Sequence, residues 1–487
     1  MPRPADMFDR TWEWGQLIQF ARDDTPGATL GLVYGRRRQG KSFLLDALAE
    51  STTGLYLEAT RDVETRTLTR LGVQIGQFLG SPAPLTLPDW EAAIDALLAL
   101  GRRRPLTVVL DEFPYLLAAS PPLASVIQSA YGPRRPQRLE SQTRLILCGS
   151  ALSVMRNLMT GQAPLRGRAS LELQVDPFDY RTAREFWNIT DVRTAVLVHA
   201  ICGGTPAYRD LIRSDIPGGP ENFDAWVARA VLNPASPLHR EARYLFSEDL
   251  DVREPLIYHS ILATVADGET TRGKIASGIG RKTTDIGQAL QVLEDTGFLT
   301  KNEDAFAQRK PTWHIADPIM AFHYAVTRPV WQRLQRPGRA EEIWAQRQST
   351  FAAQVLGPHF EHLCRQWARE FADPATFRAE TIAEVSQGVL HAGRNASYEI
   401  DVAVFGPGGK HRRLLSIGEA KWGEVMGTAH LARLREAMTW LADRTTLDMS
   451  TTIPACYSAA GFTSELHAAA AAGEVVLVDL NRLYHGA

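Results

Sequence analysis

Residues 29–48 read TLGLVYGRRRQGKSFLLDAL, and this stretch constrains the fold more than any other in the chain. A short apolar run leads into Gly35, Gly40, Lys41 and Ser42 at the spacing GxxxxGK[ST]. Phe43, Leu44, Leu45 and Leu48 follow in a helical rhythm. The order predicts a strand, a glycine-rich loop and a helix. Glycines let consecutive backbone N–H groups close around a phosphate, and a helix N-terminus adds partial positive charge. Lys41 is then placed to reach the β and γ oxygens and the Ser42 hydroxyl to ligate Mg²⁺. Gly35, Gln39, Gly40, Lys41 and Ser42 are the candidate nucleotide contacts. A chance glycine turn would need neither the apolar run before it nor the helix after it.

Two further apolar runs end in polar residues suited to the same site. LTVVLDEF at 106–113 sets Asp111 and Glu112 at the C-terminal end of a buried strand. In that pattern the aspartate holds the Mg²⁺ shell, and the glutamate polarises a water for attack on the γ-phosphate. The competing reading is an acidic pair opening a solvated loop. RLILCGS at 144–150 brings Ser150 to a strand end, where a hydroxyl can sense the γ-phosphate.

At 487 residues, against about 150 per domain, the chain holds about three domains. With 53 basic and 55 acidic side chains the net charge is −2, so any nucleic-acid or membrane surface must be local. Cys148, Cys202, Cys364 and Cys456 lie far apart without zinc-ligand spacing, which is compatible with a reducing compartment. MPRPADMFDRTWEW has no signal or transit pattern, and no apolar run approaches the ~18 residues of a membrane span. These features predict a cytoplasmic protein with no membrane partner.

The ordered segments FDRTWEWGQL, GRRRQGKS, VVLDEFPYL, LILCGSALSVM, APLRGRAS and GGTPAYRDL together resemble the archaeal-type ATPases of the STAND branch of AAA ATPases, over residues 8–330. The resemblance implies a P-loop core whose strand order separates the two nucleotide-binding strands, with a helical subdomain after it. It also implies that GGTPAY sets Gly204 and Pro206 near the base or ribose; by its residues alone this segment is a helix-terminating turn. Arg166 and Arg168 fall where family members carry an arginine, so one would contact a γ-phosphate in cis or across subunits of a homo-oligomer. By residue type alone they are solvated loop arginines.

Between 255 and 300, Ile257, Ile261, Leu262 and Val265, then Ile275 and Ile279, then Ile286, Leu290 and Leu293 mark three short amphipathic helices. GFLTKNED and KPTWHIAD follow as a strand, a wing turn and a return strand, which predicts a winged helix-turn-helix. Its third helix is expected to start near Arg281 and Lys282. Asp285, Glu294 and Asp295 leave it a weak basic face for DNA.

TRPVWQRLQRPGRAEE at 327–342 reads as a junction. Beyond it, Phe351, Val355, Phe360, Leu363 and Trp367 suit an amphipathic helix that contains Glu361. SYEIDVAVFGPGGKHRRLLSIGEAKWGE then reads as a hairpin about GPGGK, which brings Asp401 within a residue or two of the level of Glu419. Glu419 and Lys421 share a face, being two apart on a strand. The set Glu361, Asp401, Glu419 and Lys421 resembles the PD-(D/E)XK nuclease fold, with Ile400 in place of the usual proline. The resemblance implies that the three carboxylates hold Mg²⁺ or Mn²⁺ and that Lys421 serves the nucleophile. A structural hairpin with a surface ion pair is the competing reading.

The expected fold is therefore an α/β multidomain one. It comprises a P-loop ASCE/AAA-type core over 1–170, a helical lid over 171–250, a winged helix-turn-helix over 251–335 and a restriction-endonuclease-like α/β domain over 340–487. The expected activity is ATP hydrolysis coupled to cleavage of DNA, with Glu112, Arg168, Glu361, Asp401, Glu419 and Lys421 catalytic. The basic runs RRPQR (134–138) and KHRR (410–413) are candidate phosphate contacts or solvated loops. The alternative function is a STAND-type ATP-dependent switch whose last domain binds nucleic acid or a partner without cutting.

Overall fold

The structure, a computed structural model, describes residues 1–161, 163–249, 255–306, 311–391, 397–408 and 412–487. The chain divides into two compact units. The first is Met1–Pro177 with Thr205–Ala207 and a short stretch from Leu245; the second is Phe178–Gly204, Tyr208–Tyr244 and the remaining chain to Ala487.

In the first unit, β1 (Thr29–Tyr34), β2 (Leu55–Glu58), β3 (Leu106–Asp111), β4 (Thr143–Gly149) and β5 (Ala169–Gln174) form one parallel sheet in the order β2-β3-β4-β1-β5. β4 thus separates the phosphate-loop strand from the strand ending in Asp111. Because β5 pairs with β1, the first unit continues past residue 170 to Pro177. Alternate residues of the central strands point to opposite faces, and both faces are covered. Leu30, Leu32, Val108, Leu110, Leu145 and Leu147 pack into one core with Leu71, Ile75, Ile94 and Leu97. Val33, Val109, Ile146 and Cys148 pack into the other with Trp14, Leu17, Leu44 and Leu48.

In the second unit, helices Pro255–Ala266, Arg272–Gly278 and Gly287–Asp295 precede the antiparallel pair β6 (Leu299–Asn302) and β7 (Thr312–Ile315). The third helix begins at Gly287 rather than near Arg281. Asp285 N–H donates to the Lys282 carbonyl and the Arg272 guanidinium takes the Thr283 carbonyl, so the basic pair is held in a turn. Lys310, in the expected wing, lies outside the described residues. Residues of the expected junction are helical, in Arg328–Val330 and Trp331–Leu334, and helices Ala340–Phe351 and Gly357–Glu370 follow.

The last sheet has the order β12-β11-β10-β9-β8. β8 (Glu384–His391), β9 (Ser397–Phe405) and β10 (Leu414–Lys421) are antiparallel neighbours, while β11 (Ile453–Ser458) and β12 (Val476–Asp479) continue parallel to β10. Gly418 pairs with Val402, which sets Glu419 and Asp401 one rung further on. Gly409 and Lys410 of the turn, and His411 of the basic run, lie outside the described residues. Leu431, Leu434 and Leu441 of helix Thr428–Arg444 cover one face of the sheet, and helix Gly357–Glu370 packs on the same strands through Phe360, Leu363 and Trp367. All four cysteines are free and buried, and among the described residues no helix is long and apolar enough to cross a membrane.

The edge of β8 does not stand open along its length. Ala305 N–H donates to the Gln387 carbonyl, the Asp304 carboxylate accepts from the N–H groups of Phe306 (2.8 Å) and Val389 (3.1 Å), and a Cβ on Gly388 would stand 2.7 Å from the Phe306 ring. Strand edges left unpaired invite association with other chains. Asp304→Ala removes two acceptors at this seam and is expected to lower the stability of the second unit by about 1–3 kcal/mol, measured by urea unfolding.

Candidate functional site

The phosphate loop is set by its backbone. Gly40 adopts φ +84°, which glycine reaches without steric cost, and leads directly into helix Lys41–Thr52. Gly35 passes so close to the chain after β5 that a Cβ would stand 2.2 Å from the Val175 carbonyl oxygen. Lys41 is 6 % exposed, and its Nζ donates to the Arg36 carbonyl at 2.7 Å across the loop. The Ser42 hydroxyl donates to Asp111 Oδ2 at 2.7 Å, which joins the two elements the sequence assigned to Mg²⁺.

Burial alone would raise the Asp111 carboxyl. Donors from Cys148, Tyr56 and Ser42 and the Glu112 N–H outweigh it, holding the group below the usual aspartate range. Glu112 goes the other way: burial raises its proton affinity, opposed by the Arg37 and Lys41 charges. Such a shift suits a general base, which needs more basicity than a free carboxylate has. Glu112 stands at φ +52°, and Ser150 Oγ lies 3.4 Å from its Oε2. Thr205–Ala207 belongs to this unit: Gln39 Nε2 donates to Thr205 Oγ1 at 3.3 Å and Ala207 N–H to the Arg38 carbonyl, so Pro206 sits beside the loop. Among the described residues, Gln39 Oε1 is buried there without a hydrogen-bond partner. Arg166 and Arg168 donate to the carbonyls of Gly161 and Tyr131.

The C-terminal site gathers at the end of β10. Asp401 and Glu419 are 6 % and 4 % exposed, and Asp401 Oδ2 accepts from the Ala420 N–H at 2.8 Å. Burial, chiefly, and the neighbouring Asp401 charge push Glu361 well above the usual carboxylate range; burial does the same to Asp401 against the pull of that N–H. Glu419 is instead neutralised, with Lys421 Nζ at 3.0 Å and Arg433 Nη1 at 3.6 Å from its Oε1. Among the described residues no three His, Cys, Asp or Glu side chains form a group able to hold a metal ion. Glu361, Asp401 and Glu419 therefore do not form the expected ligand set: carboxylates with no cation between them repel, burial raises the proton affinity of Glu361 and Asp401, and Glu419 pairs with Lys421 and Arg433. The donors are all oxygens on adjoining elements, which suits a hard cation.

Several residues of these sites escape a sequence reading. Arg10 reaches from the N-terminal segment to the carbonyls of Gln39 (3.2 Å) and Asp176 (2.7 Å) and pairs with Glu13 at 2.7 Å; an arginine three residues before a glutamate was its only signal. Tyr56 of β2 donates to Asp111, and Glu399, two residues before Asp401 on β9, adds negative charge near Glu361. Arg365 donates to the Asp401 carbonyl at 2.9 Å. The basic runs are engaged within the chain: Arg135 with Ser129, Arg138 with the Ala28 carbonyl, Arg412 with Glu384 and the Ala305 carbonyl, and Arg413 with Thr451.

Residues 7–206 match the family described as an ATPase domain predominantly from Archaea, and an archaeal-type ATPase domain occupies that stretch. Uncharacterized protein MJECL04 of Methanocaldococcus jannaschii is 24% identical over 297 residues, which are 60% of this chain; the match spans 63% of that relative's length. Among solved structures, the Walker-type ATPase PABY2304 of Pyrococcus abyssi aligns with a TM-score of 0.51 and 21% identity, over 66% of this chain and 97% of its own. The Aeropyrum pernix ORC2 protein aligns with a TM-score of 0.39 and 17% identity, over 72% and 97%.

Arg10→Ala frees the Gln39 carbonyl and is expected to weaken nucleotide binding about tenfold, close to the worth of one charge-assisted hydrogen bond, as read by titration calorimetry. At the C-terminal site, proton affinities raised by folding stabilise the chain below the ordinary carboxylate range, and that contribution fades as pH rises through the raised values. A cation entering among these carboxylates would compete with those protons. The Mg²⁺-induced rise in melting temperature is thus expected to be larger near pH ~8.5 than near pH ~6, and Asp401→Asn should flatten that dependence.

Proposed function

We propose that the protein binds and hydrolyses ATP in its first unit and cleaves DNA phosphodiesters at a metal-dependent, restriction-endonuclease-like site in its C-terminal sheet. The observation that carries the reading is the Ser42–Asp111 hydrogen bond at the foot of the phosphate loop, with Glu112 one residue on and raised in proton affinity. Lys41 and the loop amides bind the phosphates, Ser42 and Asp111 would hold Mg²⁺, and Glu112 takes the proton of the attacking water. At the C-terminal site Glu361, Asp401 and Glu419 would hold the metal only after drawing together, with Glu419 released from Lys421 and Arg433. Mg²⁺ at either site supplies polarisation of phosphoryl oxygens. Lys421, released from Glu419, orients the nucleophile or meets the charge on the scissile phosphate. We read residues 255–315 as a winged helix in which Asp304 and Ala305, just after its first strand, bond to the β8 edge, and DNA reading is not assigned to it.

The second reading, a STAND-type switch that binds a partner without cutting, is favoured by one observation: Glu419 is satisfied by Lys421 and Arg433. One set of assays on purified full-length protein separates the two. Lys41→Ala is expected to weaken nucleotide binding by at least about tenfold, whereas Glu112→Gln keeps binding and loses about 10²–10⁴-fold in hydrolysis. Asp401→Ala should abolish both metal stabilisation and DNA cleavage and leave ATP hydrolysis intact; Lys421→Ala should keep metal and lose cleavage. If the parent cuts neither single- nor double-stranded DNA with Mg²⁺ or Mn²⁺, the switch reading replaces the nuclease.

A further inference from the structure

Helix Val192–Cys202 lies within the stretch that matches the ATPase domain, yet it belongs to the second unit, where it packs against helix Gly357–Glu370, which carries Glu361. Near its start, Arg193 places its guanidinium carbon 4.6 Å from the centre of the Trp422 ring and donates through Nη1 to the Ala459 carbonyl at 3.1 Å. Both partners touch the site. Trp422 directly follows Lys421, and Ala459 donates its own N–H to the Lys421 carbonyl. The other side of the site is reached through the same ring: Phe360, the residue before Glu361, meets Trp422 edge-on with centroids 5.6 Å apart. Further along the helix, His199 Nδ1 lies 2.9 Å from Nε2 of His359, two residues before Glu361. One helix therefore braces the chain next to Lys421 and the chain next to Glu361, and neither contact is explained by ATP chemistry.

The helix runs on in sequence through Gly203 and Gly204 to Thr205, whose hydroxyl accepts from Gln39 of the phosphate loop within the first unit. Gly203 has φ +56°, and a Cβ on Gly204 would stand 1.8 Å from the Phe178 carbonyl oxygen, so this connection has little room to absorb a shift. Gln39 lies between Gly35 and Lys41 in the loop that would enclose phosphate, and its partner Thr205 follows the helix by three residues in sequence. A cation over an aromatic face contributes about 0.5–2 kcal/mol, and coupling between sites needs no more than a few such contacts that differ between two states.

We propose that helix Val192–Cys202 couples the ATPase domain to the C-terminal site, with Arg193 as a positioning residue that sets Trp422 and, through it and Ala459, Lys421. This rests on the cleavage reading above and adds its regulation.

The test uses full-length protein and plasmid DNA with Mg²⁺, and takes the ratio of cleavage rates with and without ATP. The parent ratio is expected to depart from one by about tenfold, within the usual range of coupling between sites. Arg193→Ala should bring it to within about twofold of one while ATP hydrolysis and the Mg²⁺-induced melting shift stay at parent levels. Arg193→Lys keeps a cation over the ring and should restore most of the ratio, an effect that loss of packing alone would not give. Where Arg193→Ala does not fold, Trp422→Leu removes the ring instead and is expected to collapse the ratio in the same way. A parent-like ratio in the folded variants overturns the coupling. So does a parent that cuts equally well with and without nucleotide, and in both cases the cleavage reading stands. A parent that cuts nothing removes both.

Discussion

Burial of both faces of the central strands governs where this protein can do chemistry. β1, β3 and β4 in the first sheet, and β9 and β10 in the last, are almost wholly buried. A charge in the middle of such a strand would face apolar side chains on either side, and the desolvation cost has nothing to offset it. Most charged groups of the sites therefore sit at or near strand ends, and those buried along a strand, such as Arg144 and Asp401, are held by hydrogen bonds: Arg144 to the carbonyls of Asp23, Thr25 and Gly27, and Asp401 to the Ala420 N–H. Gly35 and the phosphate loop follow β1, Asp111 ends β3, Ser150 follows β4, and Glu419 and Lys421 close β10. This agrees with the general placement of ligand sites at the carboxyl ends of parallel strands.

The two sites meet this constraint in opposite ways. Asp111 is surrounded by donors, so it is ionised and preassembled with Ser42 before any ligand arrives. Its local structure needs little rearrangement, and catalysis gains from donors fixed in advance. The C-terminal carboxylates have fewer donors than acceptor sites. Glu361 and Asp401 compensate by retaining protons at higher pH, and Glu419 by drawing in Lys421 and Arg433. Lys421 thus serves as counter-charge to Glu419.

The residues between the sheets' charged ends are chosen for bracing. Asp304 and Ala305 tie the chain after β6 to the edge of β8, Arg365 ties helix Gly357–Glu370 to the Asp401 carbonyl, and Arg193 and His199 tie helix Val192–Cys202 to Trp422 and His359. Arginine recurs here because one planar guanidinium can hold a carbonyl and cover an aromatic face at the same time. These contacts supply the second unit with much of its cross-element specificity, since apolar packing alone tolerates sliding.

What the sequence determined was local. The phosphate loop was legible because its strand, its glycines and its helix are contiguous, and each residue type answers to backbone geometry or phosphate chemistry at that spot. Asp111 and Glu112 were legible as an acidic end to an apolar run, and the level of Asp401 with Glu419 because a hairpin fixes register through a short connection. Tertiary structure decided the rest. Arg10 meets Asp176 across 166 positions, Tyr56 reaches Asp111 across 55, and Arg193 reaches Ala459 across 266, and no spacing rule acts over such distances. The third helix starts at Gly287, after a turn in which Arg272 holds the Thr283 carbonyl, a contact that periodicity does not encode. The proton affinity of each carboxylate was likewise beyond the sequence: Asp111 and Asp401 are the same residue type at buried strand positions, but donors around Asp111 outweigh burial and lower its proton affinity, whereas burial and the Glu399 charge raise that of Asp401.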